Sequence, residues 1–379
     1  MGAFRLLSLA LVPIIAVALT ASLENSTWDA STAGEVQAEE KVYERFNLYL
    51  QEFGNLINTG GHLFVGTAAI ICNTLNIVVL GHQKTISPFV YLKWVAVCDL
   101  LTGVMMTWQG VMVNLDALRL YPALRVLSYR CQAIVYFIRS TLATSATYII
   151  CALGVDRLIA VLRPMKRAIW CTRRRAHITS AILCIAGIIP NFHLLFRVTL
   201  EYFPDSKTGL PLPFLTLTEI GRDKQILTIT QWSKFLLKQI LPLTVMVVTS
   251  TWTIVQILKS LRFRKQVNSQ KSEKKIQCFG VTIGVIVLFI VTNAPLAFYI
   301  FDTSINGQDF TPSYSFSVFL LIAEFIPWSN SFLNFFVYIL LNDTFRQDAI
   351  RLLLCRKKER HDYVTSTQLI GHQYQGNLG

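Results

Sequence analysis

The sequence predicts an all-α membrane protein, a seven-transmembrane helix bundle followed by a short amphipathic helix on the membrane surface. Three observations lead there. First, 53% of the 379 residues are hydrophobic and only 15% are charged, where a soluble domain carries about a quarter charged residues. Second, apolar runs lie near 60–82, 89–113, 130–162, 176–197, 232–259, 277–301 and 315–341. Each is long enough, at about 1.5 Å per residue, to cross about 30 Å of hydrocarbon, and irregular backbone cannot face lipid, so the runs are helices. Third, the basic residues gather in alternate connections between those runs.

In chain order, Arg5 precedes an apolar stretch from Leu6 to Leu19 and the small residues Ala16, Ala18 and Ala21. Residues 1–21 read as a secretory signal peptide; an additional membrane helix is the other reading. Asn25-Ser26-Thr27 is a sequon, so Asn25 is a glycosylation candidate on the luminal side. An acidic, polar segment occupies 22–59, the helix bundle 60–341, the surface helix 342–355 and a tail 356–379.

Arg163, Lys166, Arg167, Arg173, Arg174 and Arg175 lie between runs three and four, and Lys259, Arg262, Arg264, Lys265, Lys271, Lys274 and Lys275 follow run five. The opposite connections carry Glu201, Asp205, Glu219, Asp223, Asp302 and Asp309. The basic side is cytoplasmic, which places the N-terminus outside a plasma membrane and the C-terminus inside. The net charge of +13 is therefore membrane topology rather than a sign of nucleic-acid binding. In "NDTFRQDAIRLLLCRKK", Phe345, Ile350, Leu352 and Leu353 fall near one face, as in a helix lying on lipid. Cys355 at its end is a lipidation candidate, or an inert tail cysteine.

Several function classes find no support. There is no internal repeat and no continuous polar stripe, which argues against a transporter or channel. There is no HExxH, GxSxG or P-loop motif, so no enzyme is expected. His62, His82, His177 and His193 do not have metal-ligand spacing, and the eight cysteines form no CxxC pair, so no cofactor is expected.

Polar groups inside apolar helices are costly and are functional candidates by default. They are Asn73 and Asn76 in run one, Asp99 in run two, Asp156-Arg157 at the end of run three, and Lys238 before Pro242 in run five. Run six has Asn293 before Pro295, and run seven has Glu324, Asn330, Ser331, Asn334 and Tyr338. In this order and in these runs, Asn73, Asp99, Asp156-Arg157, Pro242, Pro295 and the Asn334–Tyr338 segment, with Phe345-Arg346 opening the surface helix, resemble the rhodopsin-like G-protein-coupled receptors. The resemblance covers about residues 60–355. "NTLNIVVL", "LKQILP" and "NFFVY" look most similar to invertebrate neuropeptide receptors of the FMRFamide and myosuppressin type.

The resemblance implies a peptide ligand, a heterotrimeric G protein as partner, and a coupling switch made of Asp156, Arg157, Asn334 and Tyr338, with Arg157 released when helix six swings out. It also implies a sodium pocket at Asp99 with Asn73, Asn330, Ser331 and Asn334; a plain hydrogen-bond network joining helices one, two and seven is the alternative. The chain departs from the family at Asn293 (usually Trp), at Leu158 after Asp156-Arg157, at Ser250 (usually Tyr) and at Lys275 (often an acid). The family's loop disulfide would need a cysteine between residues 198 and 232 to pair with Cys131, and none is there. These losses keep open a divergent chemosensory or decoy receptor that couples weakly.

Helix geometry adds two expectations. Neighbouring residues point about 100° apart, so Asp156 and Arg157 are not expected to form a clean facing pair; Arg157 should point into the bundle with Asp156 neutralising it loosely, and a solvated face beginning at the two residues is the alternative. Arg139 precedes Arg157 by 18 residues, about 27 Å of helix, which puts it near the outer end. Glu324 falls at a similar depth, and Lys238, Trp108 and Gln109 lie in the outer part of their helices. These five could line one ligand cavity; an internal Arg139–Glu324 salt bridge is the alternative.

Overall fold

The computed structural model describes residues 60–82, 86–117, 122–204, 211–264, 273–306 and 314–354. Some side chains within these stretches, Glu324 among them, lie outside the description. Among the described residues eight helices carry the fold: α1 His62–His82, α2 Ser87–Ala117, α3 Pro122–Leu162, α4 Arg173–Ala186, α5 over 224–264, α6 Glu273–Asn306, α7 Tyr314–Leu341 and α8 Asp343–Leu353. Among the described residues six stretches are long and apolar enough to cross a membrane, five within α1, α2, α3, α5 and α6 and one running from α4 to Leu195, and α7 contributes the apolar stretch Phe325–Leu341.

Local chemistry sets the boundaries. Pro164 ends α3, because the residue before a proline is driven out of the helical region, and Arg163 sits at φ −131°, ψ 71°. Thr172 caps α4 by accepting from the Arg175 N–H, and Asn342 caps α8 by accepting from the Phe345 N–H. Several helices run past the apolar runs that predicted them: α3 starts at Pro122 rather than near 130, and α5 at Lys224 rather than near 232. Asp223 accepts from the Gln225 and Ile226 N–H groups and so starts α5 in the polar region. The backbone keeps its bonds beyond the hydrocarbon, so hydrophobicity alone understates helix length.

α4 continues as a 3-10 stretch, Ile189–Leu195, and then gives an antiparallel hairpin, β1 Val198–Pro204 and β2 Pro211–Leu217, with Val198 opposite Leu217 and Pro204 opposite Pro211. The hairpin packs against α3. No strand was expected from the sequence. α5 is α-helical over Lys224–Ser233, π-helical over Lys234–Ile240 and α-helical again over Leu241–Arg264. Pro242, with no N–H, cannot complete an ordinary turn just beyond the π stretch.

α1 and α2 approach closely at glycines. A methyl group added to Gly66 would lie 2.6 Å from the Thr107 backbone nitrogen and 2.9 Å from the Gly103 carbonyl. Small residues at such crossings give van der Waals contact that lipid cannot offer. The main apolar core fills the α8 end of the bundle, with Val79, Leu80, Ile149, Ile150, Leu153, Met246, Ile286 and Tyr338 all but inaccessible. Phe345 of α8 is fully buried there, edge-on to Tyr338 at 5.5 Å. It does not share a face with Ile350, Leu352 and Leu353, which stay exposed. Phe345 pairs with Ala349 one turn on, and these two anchor α8 to the bundle.

Candidate functional site

At the α8 end, Asp156 and Arg157 are 7% and 2% exposed. Asp156 does neutralise Arg157, but the expectation that the contact would be loose is wrong. Arg157 Nη2 donates to Asp156 Oδ2 in a close ion pair, and Nε donates to the same oxygen at 3.2 Å. The Cβ directions diverge, but the arginine chain is long enough to fold back over its neighbour. Ser87 at the start of α2 completes the arrangement: its hydroxyl donates to Asp156 Oδ2 at 3.0 Å and accepts from Arg157 Nη2 at 3.2 Å. Cys171 donates to the Asp156 carbonyl oxygen at 3.4 Å from the connection after α3. Burial, and then the Asp156 charge, push the Cys171 thiol up to about 11.

A cavity of about 10 Å³ lies beside Arg157, lined by Gly154, Thr249, Ser250, Thr253 and Thr282 among others. The Ser250 and Thr253 hydroxyls have no hydrogen-bond partner among the described residues.

Midway along the bundle, Asn334 Nδ2 donates to Asp99 Oδ2 at 3.1 Å, joining α7 to α2. Asn73 Nδ2 donates to the Ser331 carbonyl at 2.7 Å, joining α1 to α7, and Asn76 donates to Asn73 Oδ1 at 3.1 Å. The buried oxygens Asn330 Oδ1, Asn334 Oδ1 and Thr102 Oγ1 have no partner among the described residues, and neither has the Tyr338 hydroxyl. The predicted set is thus split into two bonds about one turn apart on α7, and the amide oxygen of Asn334, the residue bonded to the carboxylate, is unpartnered among the described residues.

At the hairpin end, α3 divides two polar centres. Arg139 Nη1 donates to Gln109 Oε1 at 2.7 Å and to His62 Nε2 at 2.8 Å, so it faces α2 and α1. Its guanidinium lies 5.5 Å from the Trp328 ring of α7, which itself packs on His62 at 4.2 Å. The next residue, Ser140, turns the other way and donates to Asn191 Oδ1 at 2.7 Å. Lys238 Nζ donates to Ser140 Oγ at 2.9 Å and to Asn191 Oδ1 at 3.0 Å. Asn191 is fully buried, and its amide nitrogen donates to Thr144 Oγ1 at 3.1 Å and to the Gly187 carbonyl at 2.8 Å.

The model of the seven-transmembrane receptor family of rhodopsin matches residues 73–338. This chain belongs to that family. A probable G-protein coupled receptor of Caenorhabditis elegans is 22% identical over 315 residues, which is 79% of this chain and 69% of that protein. A QRFP-like peptide receptor of Branchiostoma floridae is 22% identical, covering 78% of this chain and 77% of its own. An FMRFamide receptor of Drosophila melanogaster is 20% identical over 62% of this chain and 42% of its own. The protein is a multi-pass membrane receptor of a non-enzymatic family.

Within this rhodopsin-family receptor, the predicted ligand residues do not all meet. Gln109 and Arg139 are bonded, and Lys238 stands on the other side of α3. Trp108 makes none of these contacts and is 36% exposed, because its neighbour Gln109 takes the inward direction. The side chain of Glu324, and with it the expected pair with Arg139, lies outside the described residues, as do Asn25, Cys355 and the Lys275 side chain. Asn293 donates to the Phe289 carbonyl at 2.9 Å and to Thr292 Oγ1 at 3.2 Å, so it folds back on its own helix. Cys131 is a free thiol.

Sequence reading passed over Ser87, Ser140, His62, Asn191 and Trp328. A hydroxyl, an amide or a ring gives no signal by itself; only Asn191, a polar amide inside the fourth apolar run, offered one.

Proposed function

We propose that this receptor sits in the plasma membrane with its N-terminus outside, binds a short peptide at the hairpin end, and acts on heterotrimeric G proteins at the α8 end. One observation carries the reading. Arg157, the residue the family resemblance assigns to coupling, is sealed under Asp156 and Ser87 and is inaccessible to any partner. α6 lines the cavity beside it through Thr282, Ile283 and Ile286. Moving α6 away opens that side, so that Arg157 can leave Asp156 and Ser87 and turn to the unpartnered Ser250 and Thr253 hydroxyls. A ligand drives the change by binding the open state more tightly than the closed one.

Two relatives are peptide receptors by name, and a polar, cationic outer region suits a peptide better than a lipid. Asp99, bonded to Asn334 whose amide oxygen is unpartnered, suits a hard cation; Asp99, Asn334 and, one turn along α7, Asn330 would hold sodium, which would supply a counter-charge to the carboxylate. The exposed Ile350, Leu352 and Leu353 of α8 would rest on lipid, with Cys355 as an acyl anchor and Asn25 as a glycan site after a signal peptide at 1–21.

The test is a peptide library applied to cells expressing the full chain with a promiscuous G protein. Saturable responses that disappear with Arg157→Ala are expected. Saturable peptide binding with no nucleotide exchange on any G protein would instead establish a decoy receptor, a reading that Asn293 and Ser250 favour.

A further inference from the structure

We propose that the ligand of this receptor carries an acidic group and that Lys238 receives it. The inference deepens the peptide-receptor reading and rests on it.

Lys238 is half-buried, inside the apolar span of α5, and held in one place by two neutral acceptors, Ser140 Oγ and Asn191 Oδ1. An ammonium group has three donors. Two are spent, and the third has no acceptor among the described residues. Neither acceptor carries charge. A cation drawn out of water is normally matched by an anion, and here none of the described residues supplies one.

The cradle is built rather than incidental. Asn191 uses its oxygen for Ser140 and Lys238 and its nitrogen for Thr144 and Gly187, so it is fixed by four bonds at the junction of α3, α4 and α5. The π-helical stretch Lys234–Ile240 carries the lysine. Lys234, one turn nearer the hairpin, and Arg139 both lie within electrostatic range of Lys238, and Arg197 lies within range of Lys234. Neither Lys234 nor Arg197 is ion-paired among the described residues. A ligand carboxylate here would fill the third donor of Lys238 and offset the charge of Lys238, Lys234 and Arg197. A guanidinium or ammonium group would meet like charge.

Matched pools of synthetic hexapeptides test this. Each pool with Asp or Glu at a given position has a twin with Asn or Gln there, and every pool is made with a free C-terminal carboxylate and with an amide. All are applied to the full-length wild-type chain with a promiscuous G-protein readout. Activity is expected only where an acid is present, and the four arms tell a side-chain acid from a terminal one.

For the most active peptide, Lys238→Met should shift the dose–response curve by at least about 30-fold, Lys238→Arg far less, and Lys238→Glu should respond instead to a peptide with Lys in place of the acid. Surface amounts are measured by antibody. If a variant is not displayed, the acid and neutral twins on the wild-type chain still decide. Activity confined to neutral or basic pools overturns this inference alone, as does a Lys238→Met response within about threefold of wild type. Silence from every pool overturns the peptide-receptor reading and this inference with it.

Discussion

Ser87 and Asp156, one at the start of α2 and the other near the end of α3, are joined by a 3.0 Å hydrogen bond in which the serine donates. The same hydroxyl accepts from Arg157 at 3.2 Å, so one small side chain holds both members of the ion pair. Ser87→Ala removes both bonds and leaves the pair itself. A hydrogen bond to a buried charge contributes about 1.5–3 kcal/mol, so the closed state should lose roughly tenfold to a hundredfold in its ratio to the open one. Agonist-free nucleotide exchange should rise in Ser87→Ala membranes. An unchanged basal rate would mean that the Ser87 bonds do not hold the receptor closed.

Asp99 and Asn334 make the second expectation. Asp99→Asn keeps the shape and removes the charge. If sodium occupies the site, the affinity of an agonist for the wild-type receptor should differ between sodium and N-methylglucamine buffers, and the variant should show no difference. A sodium effect that survives in Asp99→Asn would place the ion elsewhere.

Gly66 faces backbone on α2. A methyl group there would lie 2.6 Å from the Thr107 nitrogen, and backbone cannot give way as a flexible side chain can. Gly66→Ala should therefore cost about 1–3 kcal/mol and reduce surface display and thermal stability. Gly81, with nothing within 4 Å of an added methyl, is the control, and Gly81→Ala should be neutral or slightly stabilising. Equal stability of the two variants would contradict the close α1–α2 crossing.

Cys171 provides a pH signature. Its thiol is held up to about 11 by burial and then by Asp156, so the thiolate is scarce at neutral pH. Maleimide labelling of Cys171 in native membranes should be slow at pH 7.5 and should quicken as pH rises toward 11. Asp156→Asn removes one of the two causes and should speed labelling at neutral pH. Fast, pH-independent labelling of the wild-type residue would show that the connection does not pack on α3.

Much of the fold was legible because lipid imposes a simple rule: every spanning segment must be an apolar helix. Asp99, Asp156 and Arg157 stood out for the same reason, since each charge breaks an oily run. What the sequence could not show depends on contacts between distant segments. Ser87 reads as a loop serine until α2 begins at it. Asn191 reads as the end of a span until Ser140 and Lys238 converge on its oxygen. Arg139 and Lys238 looked like neighbours by depth alone, because depth says nothing of which side of α3 each occupies. The Asp156–Arg157 contact was misread for a similar reason. Helical phase describes Cβ directions, and a long arginine reaches around them.

The π-helical stretch Lys234–Ile240 also bears on how this chain should be aligned with its relatives. One such turn amounts to an inserted residue in an otherwise α-helical segment. A relative with an unbroken α-helix there holds one residue fewer between the start of α5 and the proline equivalent to Pro242. Counted back from that proline without a gap, every position on the hairpin side would be displaced by one, or about 100° around the helix axis. The equivalent of Lys238 could then be assigned to a residue facing lipid, and ligand preferences carried over from such a relative would be read from the wrong column.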